Sequence, residues 1–556
     1  MTFAVKPRSS LEGQSFHVVV IGGGINGVAI ARECARAGQR TLLLEQKDFG
    51  SGVTSRSTRI IHGGLRYLEH GELDLVRESV RERERLLVER SHLVHPIHFL
   101  FLLNENSQRS AMKVRAGLWL YQRFAKRKIS DLGAMEIAGV ERALDAGHQW
   151  LLFNFEDAQC EFPERLTAEW MREAAAAGAI VRNHSEVLAV DIAQGRARGV
   201  LLRDRISGKD ERVDARWIIN STGPWVDRIC QRSTVRTKKP LIGGVRGSHI
   251  VLPRFSGAPV AALYTEAGDG RPVFVLPWNQ QILVGTTEVP DAADPGKTAP
   301  SPHEIGYLLR TVAELFPQAK ISAHDIQYAF AGVRPLPNSP GDQPSAVSRR
   351  HFLHDHRDEG AAGMISVIGG KLTTAASLAR ECARKIGIQV EEPRAVAIAP
   401  GNALDPVLDQ EVPAIARAGS VSEETARAMM EWHGEHAMQI ARTALVGADL
   451  RAPICPHTSH IVAEAIEAYQ NEYAVTLGDV LLRRVPVALS ACWSESCSRE
   501  AALRIGAVMG WSEPESRAHL EQFESERAAF LKRPALTGSD LEAAADSPCV
   551  PSPSSP

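Results

Sequence analysis

The sequence contains no run of about 18 apolar residues, so it predicts no membrane-spanning helix. Its first sixteen residues, MTFAVKPRSSLEGQSF, lack the apolar core of a secretory signal. The eight cysteines form no C-x-x-C pair and are scattered from Cys34 to Cys549, a distribution that predicts reduced thiols in a cytosolic setting and no disulfide framework. Excess positive charge is missing as well. With a formal net charge of −2, binding to nucleic acid through bulk electrostatics is excluded, and any anionic partner has to be held by a local cluster of cations. There is no internal repeat. What the chain does have is 556 residues, 44% of them apolar and 23% charged, which suffices for sizeable cores and for two to four structural units.

Local pattern locates the first of these units. His17 to Ile21 holds four consecutive aliphatic residues, Val18 to Ile21, ending in a glycine cluster, as in a buried parallel strand. Ile25 to Ala37 predicts a helix stopped by Gly38, and Thr41 to Leu44 a second strand, together a βαβ unit. Glu72 to Arg90 is charge-dense with apolar residues at helical spacing and predicts a solvated helix. Trp217 to Ile219 and Met364 to Ile368 predict strands that return to the first sheet. Between them, the short apolar runs from Ser248 to Thr287, broken by Pro and Gly, predict a separate mixed or antiparallel sheet. Beyond about Pro400 the pattern turns helical, with Ser420 and Glu423 spaced as a capping box, and the Pro/Ser-rich end predicts a disordered tail.

The junction of the first strand and helix reads Gly22-x-Gly24-x-x-Gly27. Bare backbone at a helix N-terminus suits a dinucleotide pyrophosphate, because close approach is allowed and the aligned peptide dipoles favour negative charge. Glu45 ends the second strand, 18 residues after Gly27, placed to accept hydrogen bonds from an adenosine ribose. The second strand then runs into the polar loop from Gly50 to Arg59, long enough to wrap a cofactor larger than one βαβ unit.

Seven ordered blocks carry a more specific resemblance: VIGGGINGVAIA (Val20 to Ala31), RIIHGGLRYLEHGE (Arg59 to Glu72), NSTGPWV (Asn220 to Val226), RGSHIVLPR (Arg246 to Arg254), VGTTE (Val284 to Glu288), GVRPL (Gly332 to Leu336) and IGGKLTT (Ile368 to Thr374). With the later TLGDVLLRR (Thr476 to Arg484), they make the sequence similar to the aerobic, FAD-dependent glycerol-3-phosphate dehydrogenases over nearly its whole length. The resemblance implies a multidomain α/β and α+β flavoprotein of the glutathione-reductase-like and D-amino-acid-oxidase-like kind. It would have a Rossmann-type FAD domain (16–110, 155–240 and 350–395), an antiparallel-sheet substrate domain (111–154 and 241–349), a C-terminal helical domain (400–535) and a tail (536–556). FAD would contact Gly22, Gly24, Asn26, Gly27, Glu45, Ser55, Ser57, His62, Gly63, Gly64, Gly223, Gly370, Lys371, Leu372 and Thr373.

The implied substrate is glycerol 3-phosphate. A phosphate dianion calls for clustered cations; the blocks supply Arg66, Arg334 and Lys371, and the resemblance adds Arg349 from the loosely matched segment Pro337 to Arg357, with Tyr67 as a further substrate contact. Oxidising a secondary alcohol needs a base within hydrogen-bond reach of the hydroxyl; His249 is the first choice, with Arg334 orienting the oxygen and stabilising developing alkoxide charge, and His62 a rival base. Glu288 stands where many relatives carry aspartate. Electrons would pass to ubiquinone or menaquinone, so the family places such a protein in the cytoplasm, peripheral on the inner face of the cell membrane, with room for a homodimer. The segment Arg109 to Lys128 puts Val114, Gly117, Leu118, Tyr121, Phe124 and Ala125 on one helical face with basic residues opposite, as an in-plane membrane helix does, and equally as a helix packed on the protein body does. No metal is predicted: His433 with His436, and His457 with His460, lack a third ligand at usual spacing and read as exposed histidines, and Cys492 and Cys497 lack a partner pair. An oxidase using oxygen on the same scaffold, a flavoprotein acting on a hydroxy acid or amine, and a flavin-binding protein without turnover are the competing readings.

Overall fold

The computed structural model describes residues 3–69, 71–124, 132–341, 347–392 and 405–531. Among them, the predicted tail at 536–556 is not included, nor is the side chain of Arg66.

The first strand forms where expected, Ser15–Ile21, because Val18, Val19 and Val20 are fully buried on both faces. It pairs in parallel with Thr41–Leu44 on one side and Asp210–Asn220 on the other. Ile180–Arg182 and Met364–Ile368 extend the parallel sheet, and Phe352–Asp355 closes one edge antiparallel. Two further antiparallel strands, Ser185–Ala193 and Arg196–Asp204, branch from Asp210–Asn220. Helices Ile25–Arg36, Pro163–Ala176 and Ala375–Lys385 cover this sheet and share one core with it.

A second sheet is built on Ile242–Pro253, which pairs antiparallel with Gln281–Gly285 and with Tyr328–Pro337. It is nearly all antiparallel, but Ala262–Glu266 lies parallel to Val94–Leu103, so it is a mixed sheet. Val94–Leu103 and Leu151–Cys160 belong here over their whole length, although the expected boundaries at 110 and 155 assign Val94–Leu103 and Phe155 to Cys160 to the FAD domain. Their burial comes from Phe99, Phe101 and Phe155 packing on aromatic neighbours across the sheet, a pairing that no local pattern announces.

The helices from Asp405 to Phe530 pack into one core with the second sheet and lock onto the first sheet through buried ion pairs. Arg484 binds Asp48 with two bonds of 2.9 Å, and Arg165 binds Glu472 at 2.7 and 2.9 Å. Removing one member of such a pair strands the other charge in a low-dielectric interior, which costs about 3–5 kcal/mol.

Three local expectations are corrected. The Leu73–Glu89 helix is solvated only in part: Asp74, Arg77, Arg81 and Glu89 are exposed, but Glu82, Arg83 and Arg85 are buried, with Arg83 reaching Asp157 at 2.5 Å and Glu82 bound by Arg380 at 2.6 Å. The cap of Glu423–His433 is Ser422, whose hydroxyl accepts from Thr425 N at 3.1 Å, rather than Ser420 with Glu423. His433 and His460 are buried rather than exposed, and both bond Glu464, at 2.9 and 2.8 Å.

Candidate active site

A cavity of 640 Å³ runs from the glycine turn of the first sheet to the concave side of the second. At its first end the Ile25–Arg36 helix starts at Gly24 with no side-chain cap, leaving amide donors directed at the cavity, while Ile25 N is held by Thr54 Oγ1 at 3.1 Å. A Cβ on Gly27 would lie 1.9 Å from the Gly22 carbonyl oxygen, so the strand and helix cross at a distance only glycine permits. The Glu45 carboxylate accepts from Gly23 N at 2.7 Å and from Lys47 N at 2.8 Å, which fixes it at the cavity wall.

At the other end, register brings the proposed chemistry together. Val245 lies opposite Arg334, and His249 lies opposite Phe330 on the same pair of strands. Side chains alternate with period two, so His249, four residues from Val245, and Arg334 share one face of the sheet. Gly247 stands between them, and a Cβ there would come within 2.5 Å of Arg334 Nη2, so its bare Cα makes room for the guanidinium. Arg334 is held by the Thr287 carbonyl at 3.3 Å and Thr286 Oγ1 at 2.9 Å. His249 is 2% exposed, stacks on Phe330 and is bonded through Nε2 to Thr58 Oγ1 at 2.9 Å, while its Nδ1 has no hydrogen-bond partner among the described residues. Burial, reinforced by Arg334 and Arg59, pushes the imidazole down to about 3, so it is neutral in the working range.

Cations converge on the same space from separate segments. Glu288 joins Arg349, at 2.5 Å, to Arg334, at 4.0 Å. Lys371 Nζ lies 4.3 Å from the Tyr67 ring centre and donates to Ser79 Oγ at 3.1 Å. Burial pushes its ammonium down to about 7, against the nearby Glu78 and Glu72, with Arg349 lowering it further.

Residues 17–376 match the family model of FAD dependent oxidoreductases, and residues 365–516 match the C-terminal domain of alpha-glycerophosphate oxidase. A glycerol-3-phosphate dehydrogenase of Synechocystis is 36% identical over 516 residues, covering 86% of this chain and 90% of that protein. The chain belongs to the FAD-dependent glycerol-3-phosphate dehydrogenase family. An aerobic member from Escherichia coli is 35% identical over 379 residues, 66% of this chain and 73% of that one. The glycerol-3-phosphate dehydrogenase from Bacillus halodurans, solved in complex with FAD, shares the fold with a TM-score of 0.72 at 21% identity, covering 95% of this chain and 97% of that one.

The cofactor of this flavoprotein is accordingly FAD, and the cavity suits it. Asn26 Oδ1 is buried with no hydrogen-bond partner among the described residues, at the start of the uncapped helix, where a donor on the cofactor would satisfy it. Of the residues expected at the cofactor, Gly22, Gly24, Asn26, Glu45, Ser57, His62, Gly223, Gly370, Lys371, Leu372 and Thr373 line the cavity. Four do not. Gly27 serves the strand–helix crossing, and Ser55 Oγ is turned onto the Gly50 carbonyl at 2.7 Å. Gly63 faces Tyr121, whose hydroxyl accepts from Gly63 N at 2.7 Å, and Gly64 lies against the Tyr67 ring. These residues supply the local backbone geometry, in a helix for Gly27 and in loops for the other three, and the cavity wall comes from their neighbours.

Arg349, Tyr67, His249 and Arg334 line the cavity too, whereas the Arg66 side chain lies outside the described residues. The sequence reading missed Thr58, which orients His249 from inside the Gly50 to Arg59 loop, and the buried Arg83, Tyr121 and Asp157 group that supports the His62 to Gly64 turn. A buried hydroxyl or charge inside a polar segment carries no periodic signature.

Proposed function

We propose that the chain oxidises sn-glycerol 3-phosphate to dihydroxyacetone phosphate and passes the electrons to a membrane quinone. The observation that carries this reading is the sharing of one cavity by a dinucleotide cradle and three cations, Arg334, Arg349 and Lys371, from different segments. Glu288 offsets one of the three charges, which leaves the positive balance a phosphate dianion requires. The relatives named above act, by name, on the same substrate.

Arg349 and Lys371 hold the phosphate, and Tyr67 packs along the carbon chain. Arg334 donates to the C2 oxygen, and its fixed guanidinium stabilises the alkoxide character that grows as the C2–H bond breaks. His249 takes the hydroxyl proton, with its ring held in place by Thr58 and Phe330. The arriving dianion opposes the depression of the imidazole and makes proton acceptance easier. FAD, when bound, supplies the acceptor for the hydride that leaves C2. Anaerobic mixing of the purified protein with glycerol 3-phosphate tests the reading: the yellow flavin band bleaches, and a band that stays unchanged ends it.

Because Lys371 loses its charge near pH 7, kcat/KM falls as pH rises through that value, and Lys371→Arg moves the alkaline limb upward since guanidinium stays charged. An initial-rate pH profile with a dye acceptor measures both. An identical limb in the two proteins removes Lys371 from phosphate binding.

Membrane attachment is assigned to a different face from the one the amphipathic pattern suggests. Val114, Leu118 and Tyr121 of the Ala111–Phe124 helix are buried against the protein body and are not available to lipid. Its outer side carries Trp119, 64% exposed, and Met112, 80% exposed, among Lys113, Arg115 and Arg123; residues 125–128 lie outside the described residues. An exposed aromatic among basic side chains suits an anionic bilayer surface on the cytoplasmic side. No helix among the described residues is long and apolar enough to cross a membrane. Trp119→Glu lowers recovery with anionic liposomes in flotation at least several-fold, and equal flotation of both proteins rejects this face. An oxidase reading is favoured by the match of residues 365–516; oxygen uptake with substrate and no added quinone would replace the quinone with oxygen.

A further inference from the structure

Away from the flavin cavity, the C-terminal helices bring together side chains that the sequence keeps apart. Cys455 and His457 lie on a loop closed by the Ile454 N to His460 O bond of 2.9 Å and by the bridge between Pro453 and Ile461. Cys497 lies in the first turn of the Glu495–Met509 helix, with its N–H donating to the N-cap Ser494 Oγ at 3.4 Å. The two thiol sulfurs and a ring nitrogen of His457 all lie within 4.8 Å of one another. None of the three residues lines the flavin cavity.

We propose that Cys455, His457 and Cys497 form a zinc site that ties this loop to the start of the Glu495–Met509 helix. Zinc takes thiolate sulfur at about 2.3 Å and imidazole nitrogen at about 2.0–2.1 Å, and at a tetrahedral angle those bonds set the two donor atoms about 3.5 Å apart. Cys497 Sγ and His457 Nδ1 are separated by 3.5 Å. Two thiolates with a neutral imidazole balance a divalent charge, so the metal can sit beside the apolar residues that bury Cys455 and Cys497. Soft sulfur donors with no carboxylate in the set exclude magnesium and calcium and favour zinc among the common divalent ions.

The Ser494 hydroxyl donates to Cys497 Sγ at 3.5 Å. Both cysteines are free thiols in this structure. His457 is exposed, so the site opens to solvent on one side, which gives the ion a route in. Cys492 lies next to the cluster, with its thiol 4.0 Å from the His457 carbonyl and its own carbonyl accepting from the Cys497 thiol at 3.7 Å. Cys455 and Cys497 lie 42 residues apart along the chain, and only folding brings them together.

The full-length, flavin-loaded protein, kept reduced, offered one equivalent of zinc and dialysed against metal-free buffer, retains about one zinc per chain by elemental mass spectrometry. His457→Gln and Cys497→Ser retain at least tenfold less. Because His457 is exposed, the His457→Gln protein keeps its flavin spectrum, which separates loss of the ion from loss of the fold. EDTA lowers the Tm of the wild type and leaves that of His457→Gln unmoved. Acidification releases the ion as the thiolates take up protons. Reduced wild type that holds no zinc, zinc retained equally by both variants, or a Cys455–Cys497 disulfide found by intact mass as the native form overturns the assignment.

Discussion

Arg334→Ala lowers kcat for glycerol 3-phosphate by about 10²–10³-fold, or about 3–4 kcal/mol of transition-state stabilisation, and leaves the flavin content near normal. The guanidinium is positioned before substrate arrives, by Thr286 Oγ1, the Thr287 carbonyl and Glu288, so it needs no reorganisation when charge develops on the substrate oxygen. Its removal therefore acts on kcat more than on KM, because the proposed phosphate contacts, Arg349 and Lys371, remain. His249→Asn lowers kcat as well, since the amide cannot take a proton at that position, and the double variant is less impaired than the product of the two losses because both residues serve the same oxygen. Steady-state rates with a dye acceptor, corrected for flavin content, measure this. If either single variant turns over at the wild-type rate, the role given to that residue is eliminated.

Gly27→Ala yields a colourless protein. The added methyl would lie 1.9 Å from the Gly22 carbonyl oxygen, and because that atom belongs to the backbone the strand or the helix has to shift. Overpacking of this kind costs about 1–3 kcal/mol, and the same displacement lifts the helix N-terminus away from the pyrophosphate position. A flavin-to-protein absorbance ratio and a Tm taken together distinguish the two effects: flavin is lost even where the protein stays folded, and a yellow, fully loaded Gly27→Ala protein would show that the crossing does not shape the cofactor site.

The zinc assignment stands apart from both results. It concerns the C-terminal helices, and a protein that fails to reduce its flavin with glycerol 3-phosphate can still bind one zinc, just as an active protein can fail to.

The amino-acid sequence by itself determined the features whose causes are local. Four aliphatic residues before a glycine turn make a buried strand, three glycines at that turn admit a helix N-terminus, and an acid at the end of the next strand stands near them because a βαβ unit leaves no other place for it. The ordered family blocks extend this to FAD. Other features were decided only in three dimensions. Strand register put His249 and Arg334 on one face; aromatic packing drew Val94–Leu103 into the second sheet; and the buried Val114, Leu118 and Tyr121 turned an amphipathic helix inward. Glu288 acquired its two arginine partners, and Cys455, His457 and Cys497 acquired one another, by the same route. The physical reason is that periodicity reports which side of an element is apolar, whereas the partner of that side is chosen by the competition of all such surfaces for burial, a property of the whole chain.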